Sequence, residues 1–310
     1  MRQTLRIGTR GSQLALTQSR WVQAALQQQH PGLTVELVTI KTTGDRFLDV
    51  PLSTIGGKGV FVKEIEDALT AGRIDCAVHS MKDVPSELAY GLVIAAIPAR
   101  AAAHDVLISR AHVPLGHLPP GARVGTSSLR RMALVRAQRR DVEVQALRGN
   151  VDTRLRKLDT GELDAVVLAA AGLHRLGIMR PEAEALDPED FIPAIGQGAL
   201  AIETRDDATR SLLLALDDAE TRIAVSTERA FLARVGGSCR TPLAAYATVK
   251  GGHVDLRALI ANPDGTEVLR GRRSGTADSA TDLGQELADE LLDCGGRRIL
   301  KGLEETGHGR

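Results

Sequence analysis

The chain has 310 residues, 43% of them hydrophobic, and its 39 basic and 39 acidic residues cancel to a formal net charge of zero. That length holds two or three domains around a large core. The neutral balance excludes a global attraction to nucleic acid or an anionic membrane, and aromatics at 2% exclude a base-stacking surface.

The basic residues are mostly arginine, whose planar fork grips carboxylates bidentately, so the bias suits an acidic ligand. Cys76, Cys239 and Cys294 form no CxxC and no even framework, and the histidines show no HExxH or Cys/His ligand spacing. Neither a disulfide scaffold nor a metal is expected. No apolar run reaches membrane-spanning length, and Met1-Arg2-Gln3-Thr4 leads directly into a strand-like Leu5-Arg6-Ile7-Gly8. The expectation is a cytoplasmic protein with no membrane partner.

Arg6 to Ser12 reads as strand, tight turn and helix start, followed by a helix from Gln13 to Leu26 in which Leu14, Thr17, Trp21 and Ala25 share one face, with Leu26 adjoining it. Leu33 to Ile40 alternates as a strand. Lys41 to Lys58 is long and glycine-containing, either a lid or a disordered loop. Val60 to Leu69 is a helix with Phe61, Ile65 and Leu69 along one side. Gly72 ends that helix, Ile74 to Val78 reads as a buried strand, and His79-Ser80-Met81-Lys82-Asp83 breaks off it before Pro85.

The plan then recurs. Arg123-Val124-Gly125-Thr126-Ser127-Ser128 matches Arg6 to Ser12 in kind, and Thr160 to Val167 echoes Ala71 to Val78. Two copies in one order predict an α/β protein of two lobes. Chain crossings near Ala96-Ile97-Pro98 and Ile195-Gly196-Gln197-Gly198 assign residues 1–97 with 198–216 to the first lobe and 98–197 to the second. From 217 to 310 a helix (Thr221 to Val235), a three-stranded antiparallel meander (Leu243 to Val249, His253 to Ile260, Thr266 to Arg272) and a helix from Thr281 to Leu292 form a smaller α+β domain.

A polar cluster at the carboxyl end of a buried strand is the usual geometry of an α/β ligand site, which makes Asp83, beside Lys82, the first candidate for the reacting group. The loops carrying Arg10 and Ser12, and Thr126, Ser127, Ser128, Arg130 and Arg131, open helices whose free N–H groups attract anions. The alternative reading of their hydroxyls is simple N-capping. Arg148 follows a strand from Val142 to Leu147, Arg154 starts the next helix, and Arg175 lies past the apolar run Ala165 to Ala171. Arginines so placed fit a ligand with several carboxylates, whereas Arg136, Arg139 and Arg140 read as a solvated helix face. Cys239, between Gly237 and Pro242 and next to Arg240, reads as an exposed, activated thiol; Cys76 and Cys294 read as buried apolar residues.

Several stretches, taken together, resemble the porphobilinogen deaminase family. They are Gly8-Thr9-Arg10-Gly11-Ser12, Gly56-Gly57-Lys58-Gly59-Val60-Phe61, His79 to Pro85, Gly125 to Arg131, Leu147-Arg148-Gly149-Asn150, Gly196-Gln197-Gly198 and Gly237-Ser238-Cys239. They occur in the family's order across nearly the whole chain. The resemblance implies two lobes like those of periplasmic binding proteins plus a third domain. It implies an enzyme that joins four porphobilinogens head to tail, with loss of ammonia, and then frees the linear tetrapyrrole by hydrolysis. It also implies a dipyrromethane cofactor, tied by a thioether to Cys239 and held by Lys82, Thr126, Ser128, Arg130, Arg131, Arg148, Gly149 and Gln197. It makes Asp83 the catalytic carboxylate, and it assigns substrate contacts to Arg10, Ser12, Lys58, Phe61, Arg148, Arg154 and Arg175. The porphobilinogen chain accumulates acetate and propionate arms, which answers the arginine bias, and a monomer is expected. A non-catalytic two-lobed binder of a polycarboxylate is the other reading.

Overall fold

The computed structural model describes residues 4–46, 62–236 and 241–305. In chain order the first part contains β1 (Thr4–Thr9), α1 (Gln13–Gln29), β2 (Thr34–Thr39), α2 (Thr43–Arg46), α3 (Lys63–Thr70), β3 (Cys76–Ser80) and β4 (Leu92–Ala96). The second contains β5 (Asp105–Ser109), β6 (Arg123–Gly125), α4 (Leu129–Gln138), β7 (Glu143–Gln145), α5 (Val151–Asp159), β8 (Ala165–Ala169), α6 (Ala170–Leu176) and β9 (Glu184–Ala185). There follow β10 (Leu200–Arg205), α7 (Thr209–Leu213), α8 (Ala219–Val235), β11 (Leu243–Lys250), β12 (His253–Ala261), β13 (Val268–Thr276), α9 (Ala280–Leu291) and α10 (Arg297–Glu305).

The chain folds as two compact units, Met1–Ala101 with Gly198–Arg222, and Ala102–Gln197 with Ile223–Arg310. The first is built on a sheet in the order β2-β1-β3-β10-β4, and the second on a sheet in the order β7-β6-β8-β5-β9. In each, three parallel strands meet one antiparallel strand that crosses over from another part of the chain. The two sheets are therefore one topology used twice, and they form the two α/β lobes.

The repetition reaches single atoms. Arg6 pairs with Asp75 through its backbone N–H, its Nε and its Nη2, and Nη2 also donates to Gly72 O. Arg123 makes the same four contacts with Asp164 and Gly161 O. Gly8 is the penultimate residue of β1 and Gly125 the last of β6, and a Cβ there would lie 2.3 Å from Ile74 Cδ1 and 2.5 Å from Leu163 Cδ1. Glycine is thus required by the close approach of the following helix–strand unit.

The sheet β11-β12-β13 is an antiparallel meander within the second unit. One face, with Leu243, Ala245, Leu256, Ala258 and Ile260, packs on α8 and α9. Ala244, Leu259 and Ala261 from its other face join Val124, Leu134, Val167 and Phe191 in the core of the second lobe.

Four local expectations change. On α1 the buried residues are Gln18, Ser19, Val22 and Leu26, while Trp21 is 51% exposed. The inner face is rotated because Gln18 and Ser19 are taken inside, and Gln18 is hydrogen-bonded to Ser80 there. Thr43–Arg46 forms one helical turn within the expected loop, and the rest of that loop, from 47 onward, lies outside the described residues. The last strand begins at Val268 and runs to Thr276, because Asp264 caps a longer turn by accepting from Thr266 N–H and Oγ1. A final helix, Arg297–Glu305, follows a kink at Gly295, whose φ is 119°.

Candidate functional site

Both lobes present their candidate residues at the carboxyl ends of the parallel strands. In the first lobe β1 ends in the loop of Arg10 and Ser12. The strand β3 runs two residues further than expected, to Ser80, before a single 3-10 turn over Met81–Asp83. That turn forms because Val84 N–H returns to Met81 O, and Met81 is anchored by its N–H to Ala199 O and by a buried side chain. Arg10, Ser12, Gln18, Val62, Ser80 and Asp83 line one recess of about 70 Å³. Asp83 and Lys82 are both half-buried. The predicted reacting carboxylate and two predicted substrate contacts, Arg10 and Ser12, thus meet in one place.

Behind the recess lies a pair the sequence reading did not assemble. His79 Nε2 is 2.9 Å from Glu203 Oε2, with both side chains buried, and Glu203 Oε1 has no hydrogen-bond partner. Glu66 on α3 is near both, and its carboxyl is raised above the usual range by burial first and by the Glu203 charge second. Its oxygen accepts from Ala89 N–H.

In the second lobe the N-cap Ser128 accepts from Arg131 N–H, as Ser12 does from Ala15 N–H in the first. The capping reading therefore holds for both hydroxyls. Each oxygen accepts in the cap, and its O–H can still donate to an anion. Thr126 is 1% exposed and its Oγ1 accepts from Ser128 N–H. Ser127 Oγ donates to Leu147 O, which ties this loop to the one carrying Arg148 and Gly149. Gly149 has φ 103°, and a Cβ there would lie 2.8 Å from Thr153 Cγ2, so only glycine turns the chain into α5. Arg154 Nε donates to Gly149 O. Arg148 is half-buried, and Arg175 lies in the last turn of α6; desolvation works against the charge of each.

Arg130 and Arg131 are placed differently from open ligand arginines. They are 3% and 5% exposed and close on the fully buried Asp105, Arg130 Nη1 at 2.8 Å and Arg131 Nη2 at 2.7 Å. Gln197, 1% exposed, donates from its amide to Asp105 Oδ1 and Ala103 O. Desolvation would raise the Asp105 carboxyl, but the two guanidinium charges and these hydrogen bonds outweigh it and hold the group far below the usual carboxylate range. Two cations around one anion leave a net positive charge at the start of α4. Asp105 is the residue the sequence reading missed. Its signal is a lone acid heading the apolar run Val106-Leu107-Ile108, since a charge in a buried strand calls for a partner.

The expected solvated face of α4 is corrected in part. Arg136 Nη1 donates to Pro263 O, and Arg139 binds Asp141, Leu115 O and Leu118 O, so both tie segments together. Arg140 alone of the three is exposed. Cys76 is buried as expected, with its thiol pushed up by desolvation, but Cys294 is exposed because it sits on the outer side of the kink before α10. Lys58, Phe61 and Cys239 lie outside the described residues. Among the described residues no helix is long and apolar enough to cross a membrane, and no cluster of His, Cys, Asp and Glu could hold a metal.

A family model described as porphobilinogen deaminase, dipyromethane cofactor binding domain, matches residues 5–212, and one described as porphobilinogen deaminase, C-terminal domain, matches residues 222–293. The chain is 52% identical over 299 residues to a porphobilinogen deaminase of Syntrophobacter fumaroxidans, covering 96% of this chain and 97% of that one. It is 53% identical over 304 residues to a porphobilinogen deaminase of a Roseiflexus species, covering 97% and 100%. Among solved structures, the methionine binding protein MetQ aligns with 71% of this chain and 92% of its own at 16% identity, with a TM-score of 0.42.

Proposed function

Because this chain belongs to the porphobilinogen deaminase family, and so deaminates four porphobilinogens and joins them head to tail on a dipyrromethane cofactor before hydrolysis frees hydroxymethylbilane, we propose the following residue roles for that reaction. Family membership sets aside the non-catalytic polycarboxylate binder. The observation that carries the roles is the convergence of Arg10, Ser12, Ser80 and Asp83 on one recess at the strand ends of the first lobe.

As ammonia leaves porphobilinogen, positive charge develops on the pyrrole nitrogen. The Asp83 carboxylate stabilises that charge and accepts a proton. Arg10 and the O–H of Ser12 hold the acetate and propionate arms, and Lys82 adds a cation beside Asp83. Arg154 and Arg175 are the substrate contacts assigned within the second lobe, and Lys58 and Phe61 complete the set.

The residues of the second lobe fit a group rich in carboxylates. The starts of α4 and α5, the net positive charge of Asp105 with Arg130 and Arg131, and the desolvated Arg148 all favour an anion. Thr126, Ser128, Gly149 and Gln197 shape the same edge. When bound, the dipyrromethane supplies the pyrrole carbon to which the first porphobilinogen is joined, and Cys239 holds it through a thioether. Residues 1–97 with 198–216, 98–197 and 217–310 are then the two binding lobes and the cofactor-carrying domain. The reading extends to a monomeric, cytoplasmic enzyme with no nucleic-acid or membrane partner; the zero net charge supports the part that concerns nucleic acid.

Intact mass, taken before and after denaturation, tests the attachment. The purified protein is expected to exceed its sequence mass by one linked pyrrole pair. Cys239→Ser is expected to fold, to lack that mass and to have no turnover, because a hydroxyl is a far poorer nucleophile at neutral pH. A Cys239→Ser protein that keeps the added mass on another residue would overturn the assignment.

A further inference from the structure

The buried His79–Glu203 pair is not required by the fold, and the protein itself shows this. Glu203 and Ala201 on β10 lie opposite Ala77 and His79 on β3. In the second lobe the matching strands β5 and β8 pair Ile108 and Val106 with Val166 and Leu168. His79 therefore stands where the second lobe has Leu168, and Glu203 where it has Ile108. Those two residues pack in an apolar cluster with Leu155 and Leu158 of α5. The same topology closes with hydrocarbon in one lobe and with an ionisable pair in the other. The polar version costs desolvation that an apolar pair avoids, and it occurs only in the lobe that carries Asp83.

The position of the pair is also specific. His79 lines the recess that holds Arg10, Ser12 and Asp83. Its Nε2 is committed to the 0%-exposed Glu203, which fixes that nitrogen as the proton-bearing one and leaves Nδ1 as the basic atom. Glu203 keeps a second oxygen with no hydrogen bond, and its carboxylate, in contact with Nε2, is the group that would balance an imidazolium there.

We propose that His79, oriented by Glu203, is a positioning and proton-holding residue for the reaction at Asp83. The inference rests on Asp83 being the reacting carboxylate. In each addition the C–N bond breaks with its electron pair leaving on nitrogen as ammonia. A C–C bond then forms to the terminal pyrrole of the growing chain, whose α-carbon gives up one proton. Asp83 takes that proton, and His79 Nδ1 receives it from Asp83, which returns the carboxylate to its charged form for the next addition. Glu203 balances the imidazolium until the proton leaves with ammonia as ammonium. The charged and titratable groups around His79 are Glu203 on β10, Glu66 on α3, and Asp83 and Arg10, which line the same recess.

The test installs the second lobe's own solution. The double variant His79→Leu/Glu203→Ile is expected to fold and to keep its covalent pyrrole pair by intact mass. Its kcat should fall about 10- to 100-fold with KM nearly unchanged, as expected when proton transfer is impaired. The limb of the kcat–pH profile that falls with acidification should flatten. Glu203→Gln, which keeps a polar neighbour for Nε2, serves if the double variant does not fold. It should lower kcat and move that limb to lower pH, since the imidazolium loses its balancing charge. Full turnover with an unchanged profile in either variant, alongside an inactive Asp83→Asn, overturns the inference alone. An active Asp83→Asn overturns the reading on which it rests.

Discussion

The two lobes share a topology and the arginine clips of Arg6 and Arg123, yet they bury opposite things. At the head of the crossing strand the first lobe has Leu200 and the second has Asp105, each opposite the last residue of its partner strand. On the helix after the first parallel strand (α1 after β1, α4 after β6) the first lobe has Leu14 and Ala15, where the second has Arg130 and Arg131, counted from the matching caps Ser12 and Ser128. Three residues further along the crossing strand the polarity reverses, with Glu203 in the first lobe and Ile108 in the second. One backbone plan thus tolerates an ion cluster or hydrocarbon at the same sites. The choice separates the tasks, a recess with an accessible carboxylate in one lobe and a fixed surplus of positive charge in the other.

Neutralising the two aspartates should separate the tasks of the two lobes most strongly. Asp83→Asn should cut turnover by about 10²- to 10⁴-fold and leave the melting midpoint nearly unchanged, because it removes one charge-stabilising, proton-moving group from a half-buried turn. Asp105→Asn should do the reverse in kind. It leaves Arg130 and Arg131 buried without their anion, a loss of about 3–5 kcal/mol of stability. The acid dependence should differ too. The folded-state Asp105 carboxyl lies far below its unfolded value, so its contribution is complete above about pH 4 and is lost as pH falls toward the folded value. Denaturant melts at pH 7 and pH 3 should show a shallower acid loss in Asp105→Asn than in the parent. Equal midpoints for the two variants at pH 7 would erase the division of labour.

Next in size is Arg148→Ala, which should weaken the hold on acidic intermediates by about 1.5–3 kcal/mol as a charge-assisted hydrogen bond is removed. Mass analysis of enzyme loaded with substrate should show elongation stalled at a short chain. Normal elongation with full cofactor content would remove Arg148 from the site. The smallest effects should come from Arg6→Ala and Arg123→Ala. Both clips are solvent-screened at the lobe surface, so the losses should be slight and alike. Markedly unequal midpoints would mean that the repeat does not extend to energetics.

The repeat was legible because its signals are local. A strand-end glycine and a helix cap recur within short windows, and strand tips follow from a buried run ending in polar residues, whereas the Arg–Asp clips span 69 and 41 residues and emerge only in the fold. The recess residues Arg10, Ser12 and Asp83 were legible for the same reason. The buried pairs were not, since 124 residues separate His79 from Glu203 and 25 separate Asp105 from Arg130. Pairings at such range are set by sheet order, which no short window displays. Hydrophobicity alone favours Trp21 over Gln18 for the inner face of α1, yet Gln18 is the buried one, hydrogen-bonded to the half-buried Ser80.

The sheet of β11, β12 and β13 has apolar residues of both faces inside cores, Ala245 and Ala258 toward its own helices and Ala244 and Leu259 toward the second lobe. A layer of this kind has no solvent side to fall back on. A chain cut before it would leave Val124, Leu134 and Phe191 bare, and a fragment containing only the sheet and its helices would expose the opposite stripe. Neither piece should stay dispersed alone, so the segment that bears Cys239 cannot be shed, swapped or inherited as a separate module without rebuilding the lobe beside it.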